Sequence, residues 1–162
     1  MISPEYMASS YSRNVQIIKM QTEGLSHEQS LIQLPFRGNC LNWIVGHLVT
    51  NRNNVLKLLG MEPLIDPSAV EQYRRDSDPI TASSTSILPL GQLIQLLEQA
   101  QDKIATRLRG VPLEELQRTV AFFGNKEQTV AEWLQFFFFH DSYHTGQAEL
   151  LRQAAGMNDK II

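Results

Sequence analysis

The chain has 162 residues, 43% hydrophobic and 19% charged, with 14 Lys plus Arg against 17 Asp plus Glu and one cysteine. That length suits one domain over residues 1–162, whose apolar content fills a core without disulfides and excludes disorder. A formal charge of −3 excludes the basic face that grips a phosphate backbone, so nucleic acid is not an expected partner. No run approaches the ~18 apolar residues of a membrane span, and the first 20 residues carry Glu5, Arg13 and Lys19 instead of an export signal. The expectation is a cytoplasmic protein with no membrane partner, in which Cys40 acts as a small buried hydrophobe.

Apolar residues recur at helical spacing at Tyr11, Val15 and Ile18, behind a Pro4 suited to a first turn, which predicts a first helix over about residues 4–24. A second helix of about 20 residues is predicted from Leu41, Ile44, Val45, Leu48, Val55, Leu58 and Leu59, with Asn39 as its cap and Gly60 as its stop. Residues 61–86 are rich in Pro, Ser and Asp and show no long period. Connections this long are commonly functional, and this one is expected to act as a lid, with a short helix opening at Asp66-Pro67.

Pro89 begins a third helix with Leu90, Leu93, Ile94, Leu97, Ile104 and Leu108 on one face, ending near Gly110. Between residues 111 and 128 the pattern allows a small hairpin around Gly124-Asn125, or only a turn. The last helix opens on Thr129 followed by Glu132, a reciprocal cap, and runs to Gly156. Its Trp133, Leu134 and Phe136 to Phe139 are apolar almost all round, which predicts burial on several sides together with a contact between two copies of the chain. Four long helices without a strand set read as an all-α, four-helix bundle with a long crossover between helices 2 and 3.

Two histidines, His140 and His144, stand four apart on the last helix and so project from one face. That face also carries Trp133, Phe137 and Leu151, and two buried imidazoles need partners that a cation supplies. A third, His47, edges the apolar stripe of the second helix and can converge with the pair if those helices are neighbours. Three imidazoles leave a coordination position open, as catalytic ions require. His27 sits in a polar stretch and is expected in solvent.

The segments Asn42-Trp43-Ile44-Val45-Gly46-His47-Leu48 and His140-Asp141-Ser142-Tyr143-His144-Thr145-Gly146-Gln147, with Leu150-Leu151-Arg152 after them, resemble the two signature regions of the DinB-like superfamily in order and separation. The resemblance runs from the first helix to Arg152. It implies an up-down-down-up bundle and a divalent metal held by His47, His140 and His144. Relatives of known activity include transferases that join low-molecular-weight thiols such as bacillithiol to electrophiles and a mycothiol-dependent isomerase, while many members are regarded as metal-dependent hydrolases. The family's name comes from damage induction and implies no contact with DNA.

An ion with an open position ionises a thiol or a water at neutral pH. The expected function is therefore a metal-dependent thiol transferase or hydrolase acting on a small molecule, with thiol transfer preferred. The alternative is a non-catalytic metal- or ligand-binding stress-response bundle, since no acid, base or phosphate loop stands out. Tyr143 and Asp141 are the candidate catalytic groups, and Asn51 and Gln147 the candidate supports for the ligands. Imidazole donors suit zinc, nickel, copper or iron alike. A homodimer is expected.

Overall fold

The computed structural model describes residues 3–161 and is mostly helical, with one two-stranded sheet. Helix α1 (Pro4–Thr22) starts behind Ser3, whose Oγ accepts the Tyr6 N–H at 3.2 Å, and turns Tyr11, Val15 and Ile18 inward. Helix α2 (Leu41–Leu58) is capped differently from expectation. Cys40 is its N-cap, with no side-chain bond, because Asn39 lies one residue too early to reach the free amides. Its far end follows expectation: Gly60, at φ +71°, donates to Lys57 O, and Met61 donates to Leu56 O, which satisfies the last carbonyls.

Residues 41–49 are buried without interruption, so α2 is central to the molecule. It packs on α3 (Leu90–Arg109) and on α5 (Val130–Ala154), while α1 packs on the same two helices. Between α3 and α5 come the short α4 (Leu113–Gln117) and an antiparallel hairpin, β1 (Thr119–Phe122) with β2 (Lys126–Thr129), paired from Thr119↔Thr129 to Phe122↔Lys126. The predicted reciprocal cap forms: Glu132 N–H donates to Thr129 Oγ1 at 3.2 Å, and Thr129 N–H donates to Glu132 Oε2 at 2.7 Å.

The phenylalanine run departs from expectation. Phe137 is buried, but Phe136 and Phe139 are 43% and 66% exposed, because α5 is covered on only part of its circumference. His27 is half-buried rather than exposed. Cys40 is buried as expected, and burial pushes its thiol pKa up. Among the described residues no helix is long and apolar enough to cross a membrane.

The core divides into two apolar clusters. On α2 one cluster takes residues up to Val49 and the other begins at Val55, leaving Asn51, Arg52 and Asn53 between them. On α5 one ends at Phe137 and the other resumes at Ala148, leaving Asp141, His144 and Thr145 between. Asn51, Arg52, Asp141 and His144 thus form a polar layer between the two clusters on these helices.

The crossover from α2 to α3 contains a 3₁₀ segment, Pro67–Tyr73, capped by Asp66 as predicted. It is fastened along α2. Asn53 donates to Ile65 O and accepts the Leu64 N–H, and Trp43 Nε1 donates to Ser77 Oγ. Leu88 N–H donates to the Tyr73 hydroxyl, which donates to Asn42 Oδ1, while Asn42 Nδ2 donates back to Leu88 O. A segment tied at so many points is a wall of the molecule, not the free lid its composition suggested.

Candidate metal centre

His47 is held on α2 by the crossover and by Trp43. Tyr73 packs so closely on Gly46 that an added Cβ would lie 2.2 Å from its ring; only glycine admits this approach. The ring's position brings the Tyr73 carbonyl to 2.7 Å from His47 Nδ1, and Trp43 stacks on the imidazole with centroids 4.5 Å apart. A carbonyl only accepts, so Nδ1 carries the proton and Nε2 is left with its lone pair.

His144 is oriented likewise. Its Nδ1 lies 2.8 Å from Gln147 Oε1, and Gln147 Nε2 donates to the Tyr143 hydroxyl at 3.1 Å. His140, one turn earlier, places its Nε2 between the other two, 3.3 Å from His47 Nε2 and 3.2 Å from His144 Nε2. All three ligand atoms lie within 4.8 Å of one another. A tetrahedral ion with N bonds of 2.0–2.1 Å has ligand-to-ligand edges of about 3.3–3.4 Å, so the two observed separations match two edges of such a site.

The protonation states also suit one. Burial, followed by the neighbouring imidazoles of His144 and His47, brings the His140 pKa down to about 3. Burial and His47 bring His144 down to about 4, and burial lowers His47 against the opposing pull of the Tyr73 carbonyl. All three are neutral at pH 7, and three neutral imidazoles facing one point can hold a divalent cation. Asn51 donates to His47 O at 3.0 Å and approaches His140 Nδ1 at 3.4 Å. The latter contact favours a proton on His140 Nε2; a cation held by all three Nε2 atoms would require that proton on Nδ1, with the Asn51 amide turned to offer its oxygen.

The imidazoles line a cavity of about 600 Å³ together with Trp43, Gln147 and Leu151 and, toward solvent, the exposed Phe36, Arg37, Arg75, Asp76, Tyr143 and Leu150. A depression of about 770 Å³ along the crossover, between Glu71 and Ile87, contains no imidazole and offers no comparable donor set.

Of the two candidate catalytic groups, Tyr143 lines the cavity and Asp141 does not. Asp141 is 1% exposed and turned toward α2, with Oδ2 2.8 Å from Arg52 Nη2. Burial pushes its pKa up to about 6 despite the guanidinium. Arg52 also lies over the Tyr11 ring, 4.5 Å from its centroid, and Tyr11 donates to Leu134 O at 2.7 Å. The pair joins the helix that carries His47 to the helix that carries the other two histidines.

Sequence reasoning did not assign a role to Arg52, Tyr73 or Gly46. A charged residue five positions after His47, within the Asn51–Asn54 polar stretch of α2, was the available signal for Arg52. The Tyr73 contribution is a backbone carbonyl, which leaves no trace in residue type.

The family model of the DinB superfamily matches residues 16–148, a span holding all three histidines, Tyr73 and the Arg52–Asp141 pair. No curated protein matches the chain.

Proposed function

Starting from a chain that belongs to the DinB superfamily and gathers three neutral imidazoles in the lining of a cavity, we propose a metal-dependent enzyme acting on a small molecule, a thiol transferase in preference to a hydrolase. His47, His140 and His144 are its metal ligands. The observation that carries the reading is the convergence of the three Nε2 atoms, with the Nδ1 atoms of His47 and His144 each committed to an acceptor on the far side. The mutual packing of α1, α2, α3 and α5 supports the up-down-down-up four-helix bundle that the sequence suggests.

A divalent ion with an open position supplies acidity there, ionising a bound thiol or water near neutral pH. The choice between them rests on the lining. Metal-assisted hydrolysis commonly uses a carboxylate base, yet Asp76, at the mouth and beside Arg75, is the one carboxylate among the described lining residues. A thiol that has lost its proton needs no further base. Its sulfur forms a bond to an electrophilic carbon, the leaving group departs with the electron pair, and a proton donor then neutralises it.

Tyr143 is the proton donor. Its oxygen accepts from Gln147, whose carbonyl end is fixed by His144 Nδ1–H, and this leaves the phenolic proton free for the cavity. Gln147 thus orients His144 and Tyr143 together. The exposed Phe136 and Phe139 on α5 support a homodimer.

The experiment has two stages. Elemental analysis of untagged protein gives about one divalent ion per chain, reduced in His140→Ala and His144→Ala; equal content in all three refutes the site. Metal-dependent consumption of a thiol and a chromogenic electrophile, lost in His47→Ala while helicity survives, supports the enzyme. Unfolding on metal removal, with no turnover of any thiol or ester, supports a non-catalytic module instead.

A further inference from the structure

Four of the nine arginines of this chain have a close ion-pair partner. Arg52, Arg74, Arg107 and Arg152 are paired with Asp141, Glu71, Glu115 and Asp159 at 2.6–2.8 Å, and Arg152 also donates to Gln21 O and Glu23 O at the end of α1. Arg13, Arg109 and Arg118 are exposed, have no ion pair among the described residues and do not line the histidine cavity; Arg37 and Arg75 lie at its mouth. Arg37, in the connection before α2, has no ion-pair partner among the described residues. Arg75, just after the 3₁₀ segment, meets only its neighbour Asp76, at 3.6 Å, with side chains 89% and 86% exposed. So open a pair contributes almost nothing to the fold.

Two guanidinium groups against one carboxylate give this mouth a positive balance on a chain whose formal charge is −3. Beside them Phe36 and Leu150 line the same cavity, 64% and 56% exposed. Planar guanidinium forks bind carboxylate and phosphate oxygens in pairs, and an apolar rim covers an apolar body.

We propose that the cavity takes a small organic anion, a carboxylate or phosphate on an apolar body. Arg37 and Arg75 hold the oxyanion at the mouth, Phe36 and Leu150 cover the body, and the far end reaches the imidazoles. The inference rests on the reading of that end as the reactive one, but anion recognition can be measured separately from it. Because the guanidinium groups are exposed, their attraction is screened by salt.

Trp43 lines the cavity and stacks on His47, so tryptophan emission reports occupancy. The full-length, zinc-loaded protein is titrated with 3-phenylpropanoate, phenyl phosphate and the neutral 3-phenylpropanamide. At least one anion binds about tenfold tighter than the amide, a preference that shrinks about tenfold in Arg37→Gln/Arg75→Gln and weakens at about 0.5 M salt, while amide binding and zinc content stay constant. The anion that responds tells carboxylate from phosphate. An amide that binds as tightly as both anions, an unchanged preference in the double variant, or no saturable response to either anion overturns the proposal. A preference that survives the double variant and vanishes with the zinc assigns anion recognition to the metal, which overturns this inference and leaves the proposed function standing. Metal content indifferent to His140→Ala does the reverse, provided the arginine-dependent preference persists in metal-free protein.

Discussion

Substituting Gly46→Ala tests how the His47 ligand is held. The new methyl carbon would lie 2.2, 2.4 and 2.5 Å from three atoms of the Tyr73 ring, against about 3.5 Å for ordinary carbon contact. Relief therefore needs a movement of about 1.3 Å. Tyr73 is fully buried, and its hydroxyl is engaged by both Asn42 and Leu88, so the ring cannot simply swing away. Overpacking of this kind costs about 1–3 kcal/mol, offset by the roughly 1 kcal/mol that alanine contributes to a helix interior over glycine. The more specific consequence is at the ligand. Displacing Tyr73 by more than about 1 Å stretches the 2.7 Å bond to His47 Nδ1 past hydrogen-bonding range, and loss of such a support lowers metal affinity about 10- to 100-fold. Thermal unfolding and zinc titration against a competing chelator measure the two effects. A variant more stable than the parent by about 1 kcal/mol, with zinc affinity unchanged, would refute the reasoning.

Further outcomes follow from the same geometry. Arg52→Met leaves Asp141 buried without its partner and costs about 3–5 kcal/mol in chemical denaturation, whereas Arg52→Met/Asp141→Leu recovers most of the loss; a double variant no better than the single contradicts the pairing. In the metal-free protein, His140 and His144 have folded pKa values of about 3 and 4, below the ordinary 6.5. The unfolded chain thus binds more protons between pH 6 and 4, and each of these histidines removes up to about 1.4 kcal/mol of stability per pH unit of acidification. Asp141, raised from 3.8 to about 6, acts oppositely and offsets about one histidine in that window; denaturation midpoints that stay level or rise on acidification would refute this balance. Tyr143→Phe lowers kcat about 100-fold in thiol transfer with metal content unchanged, and a change confined to KM removes Tyr143 from proton donation. Phe139→Glu shifts the light-scattering mass to that of one chain if the exposed face of α5 pairs two copies.

Much of this arrangement is legible in the sequence, for reasons that differ from residue to residue. The Thr129–Glu132 cap, the Asp66 turn and the Gly60 stop are local devices whose partners lie within a few residues. The alignment of His140 with His144 follows from helical periodicity alone. Joining His47 to them requires knowing that α2 and α5 touch, which the family signatures supply and periodicity does not. Arg52–Asp141 could not be read, since its two halves are 89 positions apart and each alone resembles a surface charge. Phe136 and Phe139 misled because apolar character limits where a side chain can be buried without guaranteeing that anything covers it. Asn39 misled because cap identity turns on a single residue of backbone geometry.

The crossover is fastened to α2 in good part through main-chain atoms: Leu64 N–H and the carbonyls of Ile65, Tyr73 and Leu88. Side chains of the crossover that make no bond to α2 can change without releasing these peptide groups. Arg75 and Asp76, at the cavity's entrance, are therefore open to exchange without loosening the histidines behind them, and on the function proposed above one scaffold can acquire new substrate preferences there while its three imidazoles stay in place.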